Sequence, residues 1–238
     1  MRSALFEEGN LEVSGGRFSL QNPQMLRVAL GEDVLAVKGS MVAYQGAVTF
    51  AHEKSGSMGR LLKKVLTNED LPLMRCQGQG EVFFAHEAGH VYLVELDGDG
   101  LTINGHSLLA FDAALDWDIK RVQGVGMFSG GLFNTVISGR GVVAVSAIGA
   151  PVVLDTSQQP TYVDIQSAVG WSSHLQPQVV SSMNMRSMLR GGTGEAFQYA
   201  FHGPGFVVVQ PSEGPSLPSA GAGGSNRSGG GFLENLFE

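Results

Sequence analysis

Short runs of β-branched, aliphatic and aromatic residues, each three or four residues long, recur along the chain between glycine-rich turns. Runs of this length and composition favour β-strands, because a helix needs a longer segment with a helical period. The pattern therefore predicts an all-β fold. The runs that we predict to be strands are Val34–Val37, Met41–Tyr44, Val82–Phe84, Val91–Val94, Val142–Val145, Val152–Leu154 and Phe206–Val209.

One segment departs from the strand pattern. Between Met58 and Leu66 the apolar side chains recur at helical spacing, while Arg60 and the Lys63–Lys64 pair occupy the opposite face. This arrangement is typical of an amphipathic helix that covers a hydrophobic surface. We predict one short helix lying over the sheet.

The order of glycines and strands repeats along the chain. A G-x-G sequence introduces a predicted strand at Cys76–Gly80, again 61 residues later at Ser138–Gly141, and a third time at His202–Gly205. Paired glycines precede the second and third copies, at Gly130–Gly131 and Gly191–Gly192. Because one such unit leaves a hydrophobic face and open edges, we expect neighbouring units to cover them. The period predicts a repeated β-sandwich.

The last part of the chain has a different composition. Of the 21 residues from Pro211 to Gly231, 15 are Gly, Ser or Pro, which is typical of a flexible linker. We predict a single β domain of about three repeats over residues 1–210 and a flexible tail over residues 211–238. The tail ends in apolar residues at helical spacing, a pattern of segments that dock in a partner groove, although a frayed terminus or an expression-tag remnant is an alternative. These predicted partner-binding residues are Phe232, Leu233, Leu236 and Phe237.

Composition narrows the class of protein further. The 238 residues include 15 basic and 22 acidic ones, a net charge of −7, which disfavours binding to nucleic acid. The 43% of hydrophobic residues is enough for a folded core. A lone Cys76 excludes an internal disulfide and indicates a reducing compartment. With no secretory signal and no apolar run of membrane-spanning length, we expect a cytoplasmic protein.

The sequence His86-Glu-Ala-Gly-His90 matches the H-E-x-x-H zinc motif. That chemistry requires a helix, since only the helical spacing brings both imidazoles to one ion beside the glutamate. Strand-like runs flank the motif on both sides, and Gly89 lies within it. We therefore expect a hairpin turn with two surface histidines, and a metal-dependent hydrolase at His86, Glu87 and His90 stays only a third hypothesis.

Other candidate sites are weaker. Gly124–Gly131 lacks the spacing of a dinucleotide-binding loop, and no P-loop lysine follows any glycine cluster. Cys76 lies in a strand-like run, where a buried and inert thiol is expected. Asp97–Gly100 resembles part of a calcium loop but is expected to form a hairpin turn. Asp112 is expected at a turn or on the solvent face. We predict no catalytic residues, no metal site and no cofactor.

The ordered glycines resemble those of a known family. The resemblance covers roughly residues 20 to 210 and is carried by Gly39–Gly46, by Arg60–Leu62, by the G-x-G strand starts, by Gly130–Gly131 and by Gly203–Gln210. The chain is similar to the altered-inheritance-of-mitochondria family, number twenty-four, whose fold is similar to that of the tryptophan RNA-binding attenuation protein (TRAP). The resemblance implies a TRAP-like β-sandwich of the double-stranded β-helix type, without established catalytic residues. Eukaryotic members are associated with the mitochondrial inner membrane, whereas the absence of a presequence here indicates a bacterial-type cytoplasmic member.

Three functional hypotheses follow. The first is a non-catalytic binding or scaffold protein, oligomeric, that acts through contacts with proteins or a membrane surface. The second is a small-ligand or RNA binder, by analogy with the attenuation protein, which is an analogy of fold alone. The third is the metal-dependent hydrolase. The repeat and the apolar end of the tail favour the first hypothesis.

Overall fold

The computed structural model describes residues 15–53, 73–121, 133–181 and 197–212. Within these ranges every regular element is a strand and every strand pairing is antiparallel, so the prediction of an all-β fold is confirmed. The predicted helix over Met58–Leu66 and the partner-binding residues of the tail, Phe232, Leu233, Leu236 and Phe237, lie outside the described residues.

The strands differ widely in length, from four residues to fifteen. All seven predicted runs lie within strands, and Val34–Val37 is one complete strand. The strands are β1 (Phe18–Asn22), β2 (Met25–Leu30), β3 (Val34–Val37), β4 (Met41–His52), β5 (Leu73–Phe84), β6 (His90–Asn104), β7 (Leu108–Asp112), β8 (Asp116–Arg121), β9 (Phe133–Ala147), β10 (Val152–Asp155), β11 (Thr161–Asp164), β12 (Ala168–Ser172), β13 (Gln178–Ser181), β14 (Phe197–Phe201) and β15 (Phe206–Val209).

Two sheets contain these strands. The larger sheet has twelve strands in the order β1-β2-β5-β3-β7-β9-β6-β12-β15-β10, with β4 added on β5 and β8 added on β9. The smaller sheet has the order β11-β14-β13. Long strands connect the parts of the larger sheet, because β5 pairs with β4 on one edge and with both β2 and β3 on the other. In the same way β9 pairs with β6 on one edge and with β7 and β8 on the other.

The G-x-G glycines have a different place from the one predicted. We expected them to introduce strands, but Gly78 and Gly80 lie inside β5, and Gly139 and Gly141 lie inside β9. All four have positive φ angles, which let a strand bend while it keeps its partners. A Cβ atom at Gly78 or Gly80 would also overlap a carbonyl oxygen of β4. Only in the third copy do the glycines separate two strands, β14 and β15.

Three clusters of buried side chains form the core. The third cluster is the most aromatic: the Trp171 ring lies 5.1 Å from that of Tyr199 and 5.4 Å from that of Phe201. Trp171 belongs to β12, which pairs with β6 and β15, so this ring joins the third cluster to strands of the larger sheet. Burial of such aromatic groups supplies much of the hydrophobic stabilisation of the fold.

Candidate interaction surface

The H-E-x-x-H sequence lies in a turn, as predicted. Glu87 and Ala88 have φ angles of 47° and 54°, and the amide of Gly89 donates to the carbonyl of His86 at 2.8 Å. Two successive positive φ angles define a tight turn and are incompatible with the helix that the zinc motif requires. The turn is not a hairpin, however, because β5 pairs with β2, β3 and β4, whereas β6 pairs with β9 and β12. The two histidines are half-buried.

The surroundings of His90 are apolar. The residue lines an open groove together with Leu20, Pro23, Val91 and Leu93. Among the described residues, no group of three His, Cys, Asp or Glu side chains is placed to hold a metal ion. Within the described residues the H-E-x-x-H sequence thus lacks both the helix and a third ligand on which that zinc chemistry depends.

Two acidic predictions need correction. Asp97–Gly100 does not form a hairpin turn, since it lies inside β6 at a bulge where the pairing with β9 shifts register. Asp112 does begin a turn, since its carbonyl accepts the amide hydrogen of Leu115 at 3.1 Å, but it is not on the solvent face. It is buried, pairs with Arg17 and accepts a hydrogen bond from the amide of Val142 at 2.7 Å. Its carboxylate fixes β7 against β9 and has a structural role.

A partly buried ion-pair cluster lies between β3, β4 and β5. The Arg75 guanidinium donates to both carboxylate oxygens of Glu53, at 2.7 and 2.9 Å, and to Asp33 at 3.0 Å. Gln77 donates to the same oxygen of Asp33 at 2.8 Å. The hydrogen bonds that Arg75 donates to Glu53 raise the pKa of Arg75 above its ordinary value. All three guanidinium nitrogens of Arg75 and both carboxylate oxygens of Glu53 are paired within the cluster, which indicates a structural rather than a catalytic role.

Cys76 is fully buried in β5, and burial raises the pKa of its thiol to about 12. We expect native protein to show no reaction with a chromogenic disulfide reagent at pH 8, because the thiolate is the reactive species and is neither formed nor accessible. Unfolding in urea should release one equivalent. A variant with Asp97→Cys, at a position with a 91% exposed side chain, is the positive control. Rapid modification of the native wild-type chain would show that Cys76 is accessible.

The exposed apolar surface is concentrated on strand edges. Val42 and Tyr44 of β4 are 52% and 50% exposed, although valine and tyrosine in a strand are ordinarily half-buried or more. Among the described strands, β4 pairs only with β5. Its twelve residues include no Lys, Arg, Asp, Glu or Pro, the residues with which proteins protect a free sheet edge. An unprotected apolar edge of this length is typical of an interaction site.

Two short strands have a similar character. Tyr162 of β11 is 56% exposed, and within the described part of the chain β11 pairs only with β14. Val152 and Val153 of β10 are also exposed, and β10 pairs with β15 alone among the described strands. We call β4, β10 and β11 the open edges. The partner-binding residues that the sequence predicted lie in the tail, so the open edges are a surface that sequence reasoning missed.

The fold and this surface define a class: an all-β protein of antiparallel sheets with apolar strand edges. The model of the mitochondrial biogenesis AIM24 family matches residues 18–212, most of the chain, and the chain belongs to this family. The resemblance that the glycine order indicated is thereby confirmed.

A solved structure supports the fold. The crystal structure of a Streptococcus pyogenes protein from a structural-genomics programme is 21% identical and has a TM-score of 0.65. The match covers 81% of this chain and 91% of the other. Among curated proteins, no relative matches the chain. The described residues contain no helix that is long and apolar enough to cross a membrane.

Proposed function

We propose that this protein is a non-catalytic scaffold that acts through protein–protein contacts at its open edges. The observation that carries the proposal is the exposed, uncharged edge of β4 around Val42 and Tyr44. Unpaired amide and carbonyl groups along such an edge can accept a further strand, and neighbouring apolar side chains then lose water contact. Arg75 and Asp112 are engaged in ion pairs, and Cys76 is a buried free thiol, which supports a structural role for these groups.

We further propose that the domain consists of three repeated units of TRAP-like type. Ser40, Ser107 and Ser167 support this proposal, because each donates its amide hydrogen to the carbonyl three residues earlier, at 2.9–3.2 Å. Each serine carbonyl also accepts an amide hydrogen from the end of the last strand of its unit, at 2.7–2.9 Å. The donors to these carbonyls are Ala85, Ser146 and Gln210.

Strand pairing follows the same order in each unit. In the first unit, β2 and β3 both pair with β5. In the second unit, the two parts of β6 pair in the same way with β9. In the third unit, β10 pairs with β15 and β11 pairs with β14. In the first unit, the beginning of β4 also pairs with the end of β5. The corresponding pairs are β7 with β9 in the second unit and β12 with β15 in the third. These correspondences support duplication of one unit, with strands continuous in some copies and divided in others.

A photo-crosslinking experiment tests the scaffold proposal. We expect benzoylphenylalanine at Val42 to yield protein adducts heavier than the 25.1 kDa chain when cells that naturally make the protein are irradiated. The same group at Asp97, which is exposed on a charged surface, should yield far fewer adducts. Because the reagent captures only close neighbours, the difference reports contacts of β4.

Two results would contradict the scaffold proposal. One is an equal and low yield of adducts at both positions. The other is quantitative flotation of the protein with anionic vesicles in the absence of protein adducts, which would make a membrane surface the target of the open edges.

A further inference from the structure

The open edge of β4 has two covered counterparts within the chain. Counting from the three equivalent serines, Met41–Tyr44 corresponds to Leu108–Phe111 and to Ala168–Trp171. All residues of the latter two segments are buried, whereas Val42 and Tyr44 are about half exposed. The same position of the unit is therefore buried in the second and third units and exposed in the first.

The edge of β11 shows the complementary contrast. Tyr162 lies five residues before its serine, as Leu35 and Thr102 lie five residues before theirs. Leu35 is fully buried and Thr102 nearly so, whereas Tyr162 is 56% exposed. The first unit thus has an uncovered β4, and the third unit has an uncovered β11.

Strand pairing explains both contrasts. β3 of the first unit pairs with β7 of the second, and Leu35 lies opposite Phe111. β6 of the second unit pairs with β12 of the third, and Thr102 lies opposite Trp171. Each junction joins the same two positions of the unit. Among the described residues no unit follows the third and none precedes the first, so within this range one half of a junction has no partner strand at each end.

We propose that a second copy of this chain completes this junction, with β4 of one chain paired antiparallel to β11 of the next. In the register of the two internal junctions, Tyr44 lies opposite Tyr162 of the partner subunit, and Ala43 opposite Val163 of the partner subunit. Directly opposed aromatic side chains stabilise a strand pair. The inference rests on the proposed scaffold function and names its partner.

The chemistry of the two edges favours a second copy over an unrelated partner. The equivalents of these two edges pair with each other twice within the chain, as β3 with β7 and as β6 with β12. The residues that would lie opposite each other between β4 and β11 are uncharged. Among the described residues, β4 and β11 of one chain form no pairing with each other. Since a chain has one edge of each kind, the contact is head to tail and repeats until a ring closes or a filament grows.

Disulfide trapping tests the arrangement in the full-length chain. We expect the double variant Tyr44→Cys with Tyr162→Cys to form covalent dimers and larger multiples of 25.1 kDa under mild oxidation. Opposed residues in antiparallel strands have Cα atoms within the range that a disulfide spans. Cys76 is buried and does not compete. The pair Tyr44→Cys with Tyr92→Cys, which also replaces two exposed tyrosines, is the matched control and should stay monomeric.

The outcomes separate this inference from the proposed function. A disulfide within one chain, at unchanged mass, or a yield equal to the control would overturn the head-to-tail contact. Light scattering of the wild-type protein gives a second measurement: the mass should rise with concentration, and a constant mass of 25.1 kDa at all concentrations would also overturn it. If adducts at Val42 then contain a different protein, the scaffold function stands and the self-assembly fails. If no adducts form, both fail.

Discussion

Replacement of Trp171 by alanine is expected to lower the free energy of unfolding by about 3–5 kcal/mol. The indole is almost completely buried and contacts the rings of Tyr199 and Phe201. Its removal leaves a cavity between β12 and the smaller sheet, and the surrounding strands can close it only in part. Urea unfolding followed by circular dichroism measures the change without relying on the fluorescence of the two tryptophans.

A matched aromatic substitution provides the control. Tyr92→Ala removes a partly exposed ring from β6 and should cost less than about 1 kcal/mol. The variant Trp171→Phe, which retains an aromatic ring, should fall between the two. An unchanged urea midpoint for Trp171→Ala would mean that the third cluster does not contribute to the core.

Replacement of Arg75 by leucine is expected to cost about 3 kcal/mol, at the lower end of the range for a broken buried ion pair, because Arg75 itself is partly exposed. Glu53 is buried and would lose both hydrogen bonds to its carboxylate oxygens. An uncompensated carboxylate in the interior destabilises the folded state far more than the pair stabilises it. The same unfolding measurement applies.

The double variant distinguishes pairing from simple loss of packing. Adding Glu53→Leu to Arg75→Leu should restore much of the lost stability, since no unpaired carboxylate then remains at that position. The control Arg140→Leu breaks an exposed ion pair with Asp97 and should leave the unfolding midpoint unchanged. If the double variant were less stable than Arg75→Leu alone, the unpaired charge would not be the cause.

Local pattern predicted the strands well because apolar runs such as Val34–Val37 and Val142–Val145 are the parts of strands that pack into the core. It underestimated strand length in β5 and β9. Glycine ordinarily interrupts a strand, yet Gly78 and Gly80 have positive φ angles and keep their partners in β4, and β9 continues past Gly139 at the bulge opposite Asp97–Gly100. Whether a glycine ends a strand or bends it depends on the strand beside it, and a single sequence does not contain that information.

The open edges were harder to predict, for a similar reason. Met41–Tyr44 has the composition of a buried strand, and the similarly apolar segment Leu108–Phe111 is buried. Only the pairing order shows that the first of these two segments has no neighbour on one side among the described strands. A sequence signal was nevertheless present, because β4 has twelve residues without charge or proline. That signal indicates an edge only when the segment is known to be exposed.

The pairing of β2, β3 and β4 with β5 has a consequence during synthesis on the ribosome. β2, β3 and β4 all pair with β5, which is translated after them. At a rate of about 5–20 residues per second, the roughly 47 residues from Val37 to Phe84 take about 2–10 s. During those seconds the nascent chain presents apolar strands without their main partner. Chaperones that bind extended hydrophobic segments would have their longest opportunity at this stage.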